Sequence, residues 1–262
     1  MFVDPKVIEF FTKEMILVQV NGDRVDTALA GQYCVAAFPT LVLMDKDGKE
    51  IDRVAGYLPP EEFMQTFRDY TKGVGTIADL VAKSKDSTSR EYSLQIAERY
   101  KYTCDKAAAE QWYNKVIAAG DPLDSLSGEC RSSIADMYSR AKRFDDAIAA
   151  YRKIIADFEG KQIADDSRQA IGYVYVRAKK YDDAIAEFKQ IAATFKGKQP
   201  ATDADMNVGY VYRSMKDTAK AIAAYEYWLT IYPQADSSDI AYAKKQIDRL
   251  KNPPAPKPEE KK

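Results

Sequence analysis

The chain has 262 residues, and its composition excludes several classes of protein before any motif is considered. Hydrophobic residues make up 46% and charged residues 30% of it, and no segment has the roughly 20 consecutive apolar residues of a membrane-spanning helix. The 39 lysines and arginines nearly balance the 40 acids, so no basic excess favours nucleic acid. We therefore expect no membrane span and no nucleic-acid partner.

The sequence contains no histidine, which excludes the commonest general base, the commonest metal ligand and every Ser-His-Asp arrangement. Its three cysteines, Cys34, Cys104 and Cys130, lie 70 and 26 residues apart, so no CxxC pair occurs. We expect no catalytic residue, no cofactor and no metal site in the sequence as given. The first residues lack the pattern of an export signal, which predicts a cytoplasmic protein if Met1 is the natural start.

The first 74 residues alternate helical and extended patterns, in the order helix, strand, helix, strand, strand, helix. Apolar runs predict buried strands, and the Asp45 to Gly48 turn between two of them predicts a hairpin. The predicted elements are helices over 4–13, about 25–33 and about 59–70, and strands at 16–20, 37–44 and 49–54.

The order of these elements, together with Tyr33-Cys34-Val35, Phe38-Pro39-Thr40 and the segment from Gly48 to Gly56, resembles the thioredoxin family over residues 1–72. The resemblance implies that Pro39 is cis and that Pro39 and Thr40 receive the backbone of a substrate chain. The family's CxxC and first core strand are absent from this sequence. The resemblance therefore implies an incomplete thioredoxin-like α/β domain over residues 1–74.

Two explanations of the missing strand stay open. Either the natural protein starts upstream of Met1, with a redox pair and an export signal that would make it periplasmic, or the short chain is complete and its domain has rearranged. The intact helix, strand and proline patterns around the gap favour the first explanation. In the short form, an unpaired sheet edge predicts self-association.

Cys34 is the candidate thiol of this domain, at a helix-end position where the thioredoxin family commonly has glycine. It is interpreted either as a redox-sensing thiol or as a half-buried, inert cysteine. The second interpretation is favoured, because the sequence shows no charged neighbour or resolving partner. Cys104 and Cys130 are expected to be inert for the same reason.

Residues 75–89 predict a linking helix, and the sequence after it repeats itself. The segment Gly172-Tyr173-Val174-Tyr175 recurs 37 residues later as Gly209-Tyr210-Val211-Tyr212. Small residues at helical spacing predict that paired helices approach closely, with large aromatic residues filling the space beside them. The same spacing of 37 separates the alanines of the second helices, which are Ala147, Ala184 and Ala221.

The recurring order of small and aromatic residues resembles the tetratricopeptide repeat, a helix-turn-helix unit of about 34 residues. The resemblance implies an all-α solenoid over residues 90–235, and residues 236–251 predict a helix that caps it. The proline-rich and lysine-rich residues 252–262 predict a disordered tail. Four hairpins are expected, at about 90–127, 128–164, 165–201 and 202–235.

The resemblance implies that a protein or peptide partner binds on the concave face formed by the first helix of each hairpin. Tyr173 and Tyr210 are expected on that face, close to Arg140, Arg177 and Arg213. These side chains are either packing residues and a solvated helix face, or an aromatic and cationic anchor for the partner. The packing interpretation is favoured, because aromatic residues at helical spacing are usually structural.

Function is therefore predicted at the level of domains. The leading hypothesis is a bacterial protein-interaction scaffold whose repeats recruit a partner and whose thioredoxin-like domain belongs to a thiol-disulfide oxidoreductase with an upstream CxxC. The sequence as given is expected to show no redox turnover. The alternative is a redox-inactive adaptor of the bacterial cell envelope.

Overall fold

A computed structural model describes residues 3–22, 27–85 and 89–253, which fall into two compact units that divide between Cys130 and Arg131. The expected mixed α/β domain followed by helical repeats is confirmed. Within the described ranges, no helix is both long and apolar enough to cross a membrane. The predicted helix start at Val25 and the predicted tail from residue 254 onward lie outside the described residues.

The first unit buries an apolar core between its helices and a small sheet. In chain order, its described elements are α1 (Pro5–Glu14), α2 (Thr27–Gln32), β1 (Thr40–Met44), β2 (Glu50–Ala55), α3 (Pro60–Thr71), α4 (Ile77–Ser84), α5 (Arg90–Tyr100) and α6 (Lys106–Ala118). Phe10 of α1 meets Phe63 of α3 edge to face, with ring centroids 6.2 Å apart. Leu43 of β1 completes this core, so both helices cover the sheet.

The predicted hairpin at residues 37–54 is confirmed. Strands β1 and β2 pair antiparallel, with Thr40 opposite Ala55. Gly48 closes the turn with a φ of 78°, a conformation that glycine adopts without steric cost, and the carboxylate of Asp45 accepts backbone N–H groups of the turn. The turn therefore fixes the register of both strands.

The predicted buried strand at residues 16–20 does not form, so this prediction is wrong. The segment has no regular secondary structure, and the side chains of Ile16 and Val18 are 93% and 75% exposed. A strand needs hydrogen bonds to a neighbour, and in the described part of the sheet β1 and β2 pair only with each other. Without a neighbouring strand, the apolar run stays exposed.

Helical hairpins make up the rest of the chain. Helix α7 (Ser125–Arg140) runs across the division between the two units. The second unit continues with α8 (Phe144–Asp157), α9 (Gln162–Arg177), α10 (Tyr181–Thr194), α11 (Gln199–Ser214), α12 (Thr218–Ile231) and α13 (Ser237–Lys251). Helix α13 occupies the position of the predicted capping helix, and the carboxylate of its N-cap residue Asp236 accepts the backbone N–H of Ser238.

Within each hairpin of the second unit, a small residue on the first helix faces an aromatic ring on the second. A Cβ atom added at Gly172 would lie 2.4 Å from Cζ of Phe188, and one at Gly209 would lie 2.7 Å from Cε1 of Tyr225. Such distances leave no room for a methyl group. The predicted close approach of the paired helices is confirmed.

The turns between paired helices share one backbone conformation. Lys179 follows α9 with a φ of 59°, and its neighbour Lys180 donates its backbone N–H to the carbonyl of Tyr175. This left-handed residue lets the chain reverse direction at the helix end while the last carbonyls stay hydrogen-bonded. The equivalent residues of the adjacent turns, Lys142 and Lys216, have φ values of 62° and 63°.

A buried aspartate of β2 joins the sheet of the first unit to its later helices. The side chain of Asp52 is fully buried and lies 2.5 Å from the guanidinium of Arg99 on α5. Its other carboxylate oxygen accepts the backbone N–H of Ile77, at the start of α4, at 2.6 Å. A buried charge is stable only when it is paired, so Asp52 fixes α4 and α5 against the sheet.

The next residue of β2 makes a second buried junction. Arg53 is 3% exposed and pairs with Glu50. One nitrogen of its guanidinium, Nη1, donates to the backbone carbonyls of Tyr33 and Tyr102, each at 2.7 Å. Arg53 therefore holds two loops together that are far apart in sequence.

A disulfide bond joins the same two loops. Cys34 is bonded to Cys104, with 5.3 Å between their Cα atoms. The expectation that Cys34 and Cys104 are unpaired is therefore wrong, because Arg53 brings together segments whose sequences show no sign of their proximity. Cys130 is free and buried, and burial raises the pKa of its thiol to about 11.

We expect Gly172→Ala to lower the free energy of unfolding of the second unit by about 1–3 kcal/mol, because the added methyl group overlaps the ring of Phe188. Gly31→Ala in α2 is the control, because a methyl group there meets no atom within 4 Å. Chemical denaturation of the full chain measures both changes. Unchanged stability of the Gly172→Ala protein would contradict the close contact.

We expect Cys34→Ala to lower the free energy of unfolding of the first unit by about 4 kcal/mol, because it opens a loop with a sequence separation of 70 residues. Cys34→Gly loses the same bond but suits the φ of 51° at this position, so it should destabilise by up to about 1 kcal/mol less. Urea denaturation distinguishes the two. A glycine variant less stable than the alanine variant would contradict the left-handed backbone.

Candidate functional site

The second unit contains a cavity of about 390 Å³ on the side formed by the first helices of its hairpins. Helices α9 and α11 form one wall, α13 forms the other, and the indole of Trp228 on α12 closes the floor. Trp228 is 1% exposed and donates its Nε1–H to the carbonyl of Thr202. The lining residues are Gln169, Tyr173, Thr202, Asp203, Met206, Asn207, Trp228, Asp239 and Tyr242.

A chain of polar side chains connects the two helices of the first wall. The Tyr173 hydroxyl donates to Oδ1 of Asn207 at 2.8 Å, and Nδ2 of Asn207 donates to Oε1 of Gln169 at 3.2 Å. Gln169 in turn donates Nε2–H to the carbonyl of Pro200 at 3.0 Å. These bonds orient both amides, and both residues line the cavity.

Two carboxylates, Asp203 on α11 and Asp239 on α13, give the cavity a negative charge, and none of the lining residues in the described part of the chain is Lys or Arg. Asp203 is exposed, but partial desolvation by its neighbours raises the pKa of its carboxyl; Gln199 opposes this by donating a hydrogen bond to the carboxylate, and the charges of Asp239 and Asp166 raise the pKa further. The negative charge of the cavity therefore favours a cationic ligand over an anionic one.

A buried tyrosine hydroxyl lies near the same cavity. Tyr225 is fully buried, and within the described ranges its oxygen has no partner with the geometry of a hydrogen bond. Burial is the main cause that raises its pKa, and the lining residues Tyr242 and Tyr173 are close enough to contribute. Tyr225 therefore stays protonated at neutral pH.

The two tyrosines predicted for the groove have different environments. Tyr173 lines the cavity and is 39% exposed, with its ring 5.6 Å from that of Phe188 between centroids. Tyr210 is half-buried, and its ring meets that of Tyr173 at a centroid distance of 5.7 Å without lining the cavity. Tyr173 thus packs against neighbouring rings and is also open to a ligand, whereas Tyr210 packs against the ring of Tyr173 and does not line the cavity.

The three predicted arginines are held by intramolecular partners. Arg140 and Arg177 both pair with Asp136, at 2.5 and 2.9 Å. Burial favours protonation of Asp136, but the hydrogen bonds from both arginines hold its pKa below the usual value. Arg213 donates to Oε1 of Gln246 at 2.5 Å. None of the three is among the residues that line the described cavity.

In the first unit, the structure places Pro39 and Thr40 at the start of β1. The Phe38–Pro39 peptide bond is cis, as the resemblance implies, and the Pro39 carbonyl accepts the backbone N–H of Gly56 at 2.8 Å. Phe38 is 58% exposed and lines an open cavity of about 470 Å³ together with residues 19–22. Pro39 is exposed and Thr40 is half-buried.

The polar residues of the cavity, Gln169, Asp203, Asn207 and Asp239, were not predicted from the sequence. The repeat spacing held a signal for one of them, because Asp166 lies 37 residues before Asp203 and its charge contributes to the raised pKa of Asp203. No group of three or more His, Cys, Asp or Glu side chains that could hold a metal ion occurs among the residues that the structure describes.

Two family models match the chain. One, described as a thioredoxin-like domain, matches residues 1–71, and the other, described as a tetratricopeptide repeat, matches residues 170–236. No curated protein matches the sequence.

Solved structures of repeat proteins resemble the chain at low identity. The apo form of RapI has a TM-score of 0.50 and 16% identity, over 73% of this chain and 56% of that chain. MamA has a TM-score of 0.45 and 17% identity, over 72% and 99% of the two chains. The TPR-like repeats of a putative kinesin light chain from Podosopora anserina have a TM-score of 0.44 and 12% identity, over 62% and 85%.

At these identities the likeness to RapI shows a shared fold and nothing about function. The family matches agree with the cis-proline hairpin of the first unit and with the stacked helical hairpins of the second. The chain therefore carries an N-terminal thioredoxin-like domain followed by tetratricopeptide repeats.

Proposed function

We propose that the protein is an interaction scaffold whose repeats bind an extended, cationic peptide segment of a partner protein. The cavity between α9, α11 and α13 carries this proposal, because it combines oriented amides, exposed aromatic rings and two carboxylates. A groove with few, convergent polar groups is typical of a specific binding site. The thioredoxin-like domain is proposed to be a second protein-binding module.

The amides of Asn207 and Gln169 supply the part of the site that is independent of the ligand's sequence. Side-chain amides both donate and accept, so they can pair with the N–H and C=O groups of an extended backbone. Their mutual hydrogen bond and the bond from Tyr173 hold them in position before a ligand arrives. Such preorganisation lowers the entropic cost of binding.

The acidic and aromatic groups supply the selectivity. Asp203 and Asp239 attract a cation, and the exposed rings of Tyr173 and Tyr242 offer faces on which a lysine or arginine side chain can lie. Entry of such a side chain offsets the repulsion between the carboxylates. An acidic or apolar side chain would leave these charges uncompensated.

The alternative of a thiol-disulfide oxidoreductase rests on the thioredoxin resemblance and on the cis-proline next to an open cavity. The sequence given contains no CxxC, so we propose that in this chain the domain binds protein without thioredoxin-type turnover. A role in the bacterial cell envelope remains part of the adaptor alternative.

We expect a heptapeptide with a central Lys or Arg, flanked by serine and glycine, to bind the full chain about tenfold more tightly than the same peptide with norleucine. Norleucine keeps the aliphatic stem and lacks the charge, and a central Glu should bind most weakly. Isothermal calorimetry measures the affinities. Equal affinity for Lys and norleucine contradicts the cation site, and no binding of any peptide contradicts the peptide groove.

We expect Asp203→Asn combined with Asp239→Asn to remove the preference for Lys over norleucine, because the cavity loses both charges. The matched control is Asp183→Asn, which removes an exposed carboxylate from the first turn of α10, outside the cavity. The same calorimetric comparison applies. An undiminished preference in the double variant would contradict the assigned roles of the two aspartates.

We expect Asn207→Ala to weaken all peptides by a similar factor of about ten, because it removes a backbone contact and frees the Tyr173 hydroxyl. Gln190→Ala, at an exposed position of α10 outside the cavity, should leave every affinity unchanged. A loss confined to the Lys peptide would contradict this division of roles.

Binding of the Lys peptide should weaken as the pH falls from 7 towards 4. The pKa of Asp203 is raised above its ordinary value of 3.8, chiefly by partial desolvation and also by the charges of Asp239 and Asp166, so this carboxylate is neutralised at a higher pH than an isolated aspartate. Calorimetry across this range measures the effect, with the norleucine peptide as the control. Identical pH profiles for both peptides would contradict a charge contribution from Asp203.

A further inference from the structure

We propose that Cys34 and Cys104 form a reversible dithiol–disulfide couple, which exchanges two electrons with a thiol reductant. The covalent connection between the loop after α2 and the loop before α6 would then depend on the redox state of the surrounding thiols. The two cysteines lie 70 residues apart and belong to no CxxC motif. The couple is separate from the peptide groove, and neither proposal depends on the other.

The exposure of the two cysteine residues indicates where exchange starts. Cys104 is exposed, whereas Cys34 is half-buried. Thiol–disulfide exchange needs a thiolate to reach one sulfur from the side opposite the breaking bond, so access decides which sulfur is attacked. An incoming thiolate therefore attacks Sγ of Cys104, and Cys34 is the leaving group.

Arg53 keeps the couple reversible. Its guanidinium bonds the carbonyl of Tyr33, one residue before Cys34, and that of Tyr102, two residues before Cys104. These hydrogen bonds and the pair with Glu50 involve no sulfur atom, so reduction leaves them intact. The two thiols then stay close to each other, and the disulfide can form again without a search by the unfolded chain.

The third cysteine, Cys130, does not take part in this thiol–disulfide exchange. Cys130 is buried, and burial raises the pKa of its thiol to about 11, so it is protonated at neutral pH and out of reach of a reagent. Exchange is therefore confined to one pair, and Cys130 is an internal control for unfolding.

The exchange balances in two steps. A reductant thiolate forms a bond to Sγ of Cys104, the Cys34–Cys104 bond breaks, and Cys34 leaves as a thiolate. A second reductant thiolate attacks the reductant sulfur of the mixed disulfide and releases Cys104. Two thiols of the reductant are oxidised to one disulfide, and the pair takes up two electrons and, as both thiolates are protonated, two protons.

The consequence of reduction is structural. The disulfide is a covalent connection between the loop after α2 and the loop before α6, and its loss leaves the hydrogen bonds from Arg53 to both loops in place. The first unit is then expected to remain folded under native conditions and to become easier to unfold. A redox change would thereby alter how firmly the cis-proline hairpin is held against the first repeat.

The test is a redox titration of the full chain, without denaturant, in buffers with different ratios of reduced to oxidised glutathione. After acid quenching, free thiols are alkylated in denaturant, and intact mass with peptide mapping assigns the labels. We expect Cys34 and Cys104 to become labelled together at one midpoint, with Cys130 labelled throughout, and to be protected again when the buffer is returned to oxidising conditions.

Single variants test the direction of attack. With Cys34→Ser, oxidised glutathione should form a mixed disulfide at Cys104 quickly, whereas with Cys104→Ser the remaining Cys34 should react more slowly. Alkylation without denaturant should leave Cys130 unlabelled in both proteins, which shows that each is folded.

Two results would overturn the proposal. If the pair resists reduced glutathione and dithiothreitol until denaturant is added, the disulfide is a fixed cross-link. If the reduced chain fails to form the bond again in oxidising buffer, although a parallel alkylation without denaturant leaves Cys130 unlabelled, the thiols are not held together. Faster reaction at Cys34 than at Cys104 would contradict the assigned point of attack.

Discussion

The contact between a small residue and an aromatic ring is the constraint on which the second unit depends. Gly172 against Phe188 and Gly209 against Tyr225 bring the two helices of each hairpin to a distance that a methyl group would prevent. Because this contact recurs at a spacing of 37 residues, the first helices present equivalent faces in succession. The amides of Gln169 and Asn207 can then pair across neighbouring hairpins, which forms one wall of the cavity.

The first unit is held together by buried ion pairs as well as by its apolar core. Burial of Asp52 and Arg53 on one strand is costly unless each has partners, and Arg99, Glu50 and several backbone groups supply them. These partners come from loops and helices distant in sequence. The same arrangement that neutralises the two charges therefore places Cys34 beside Cys104, so the electrostatic junction and the covalent bond reinforce each other.

Sequence patterns predicted the elements that depend on interactions between residues close together in the chain. The Asp45 to Gly48 turn and the small residues of the repeats act within a few residues or within one period, so the hairpin and the helix pairs were predictable. The segment at 16–20 carried a strand pattern, but a strand forms only with a neighbour. The disulfide and the pairing of Arg177 with Asp136 depend on distances between segments, which the sequence of one chain does not encode locally.

The cavity between α9, α11 and α13 is the proposed recognition site, and the most direct test is to observe where a ligand lies. Side-chain amide signals of Asn207 and Gln169 can be followed by NMR during titration of the full chain with the central-lysine heptapeptide. The account predicts that these two signals shift with saturation while that of Gln190 on α10 does not. Saturable binding that leaves both cavity amides unshifted would contradict it.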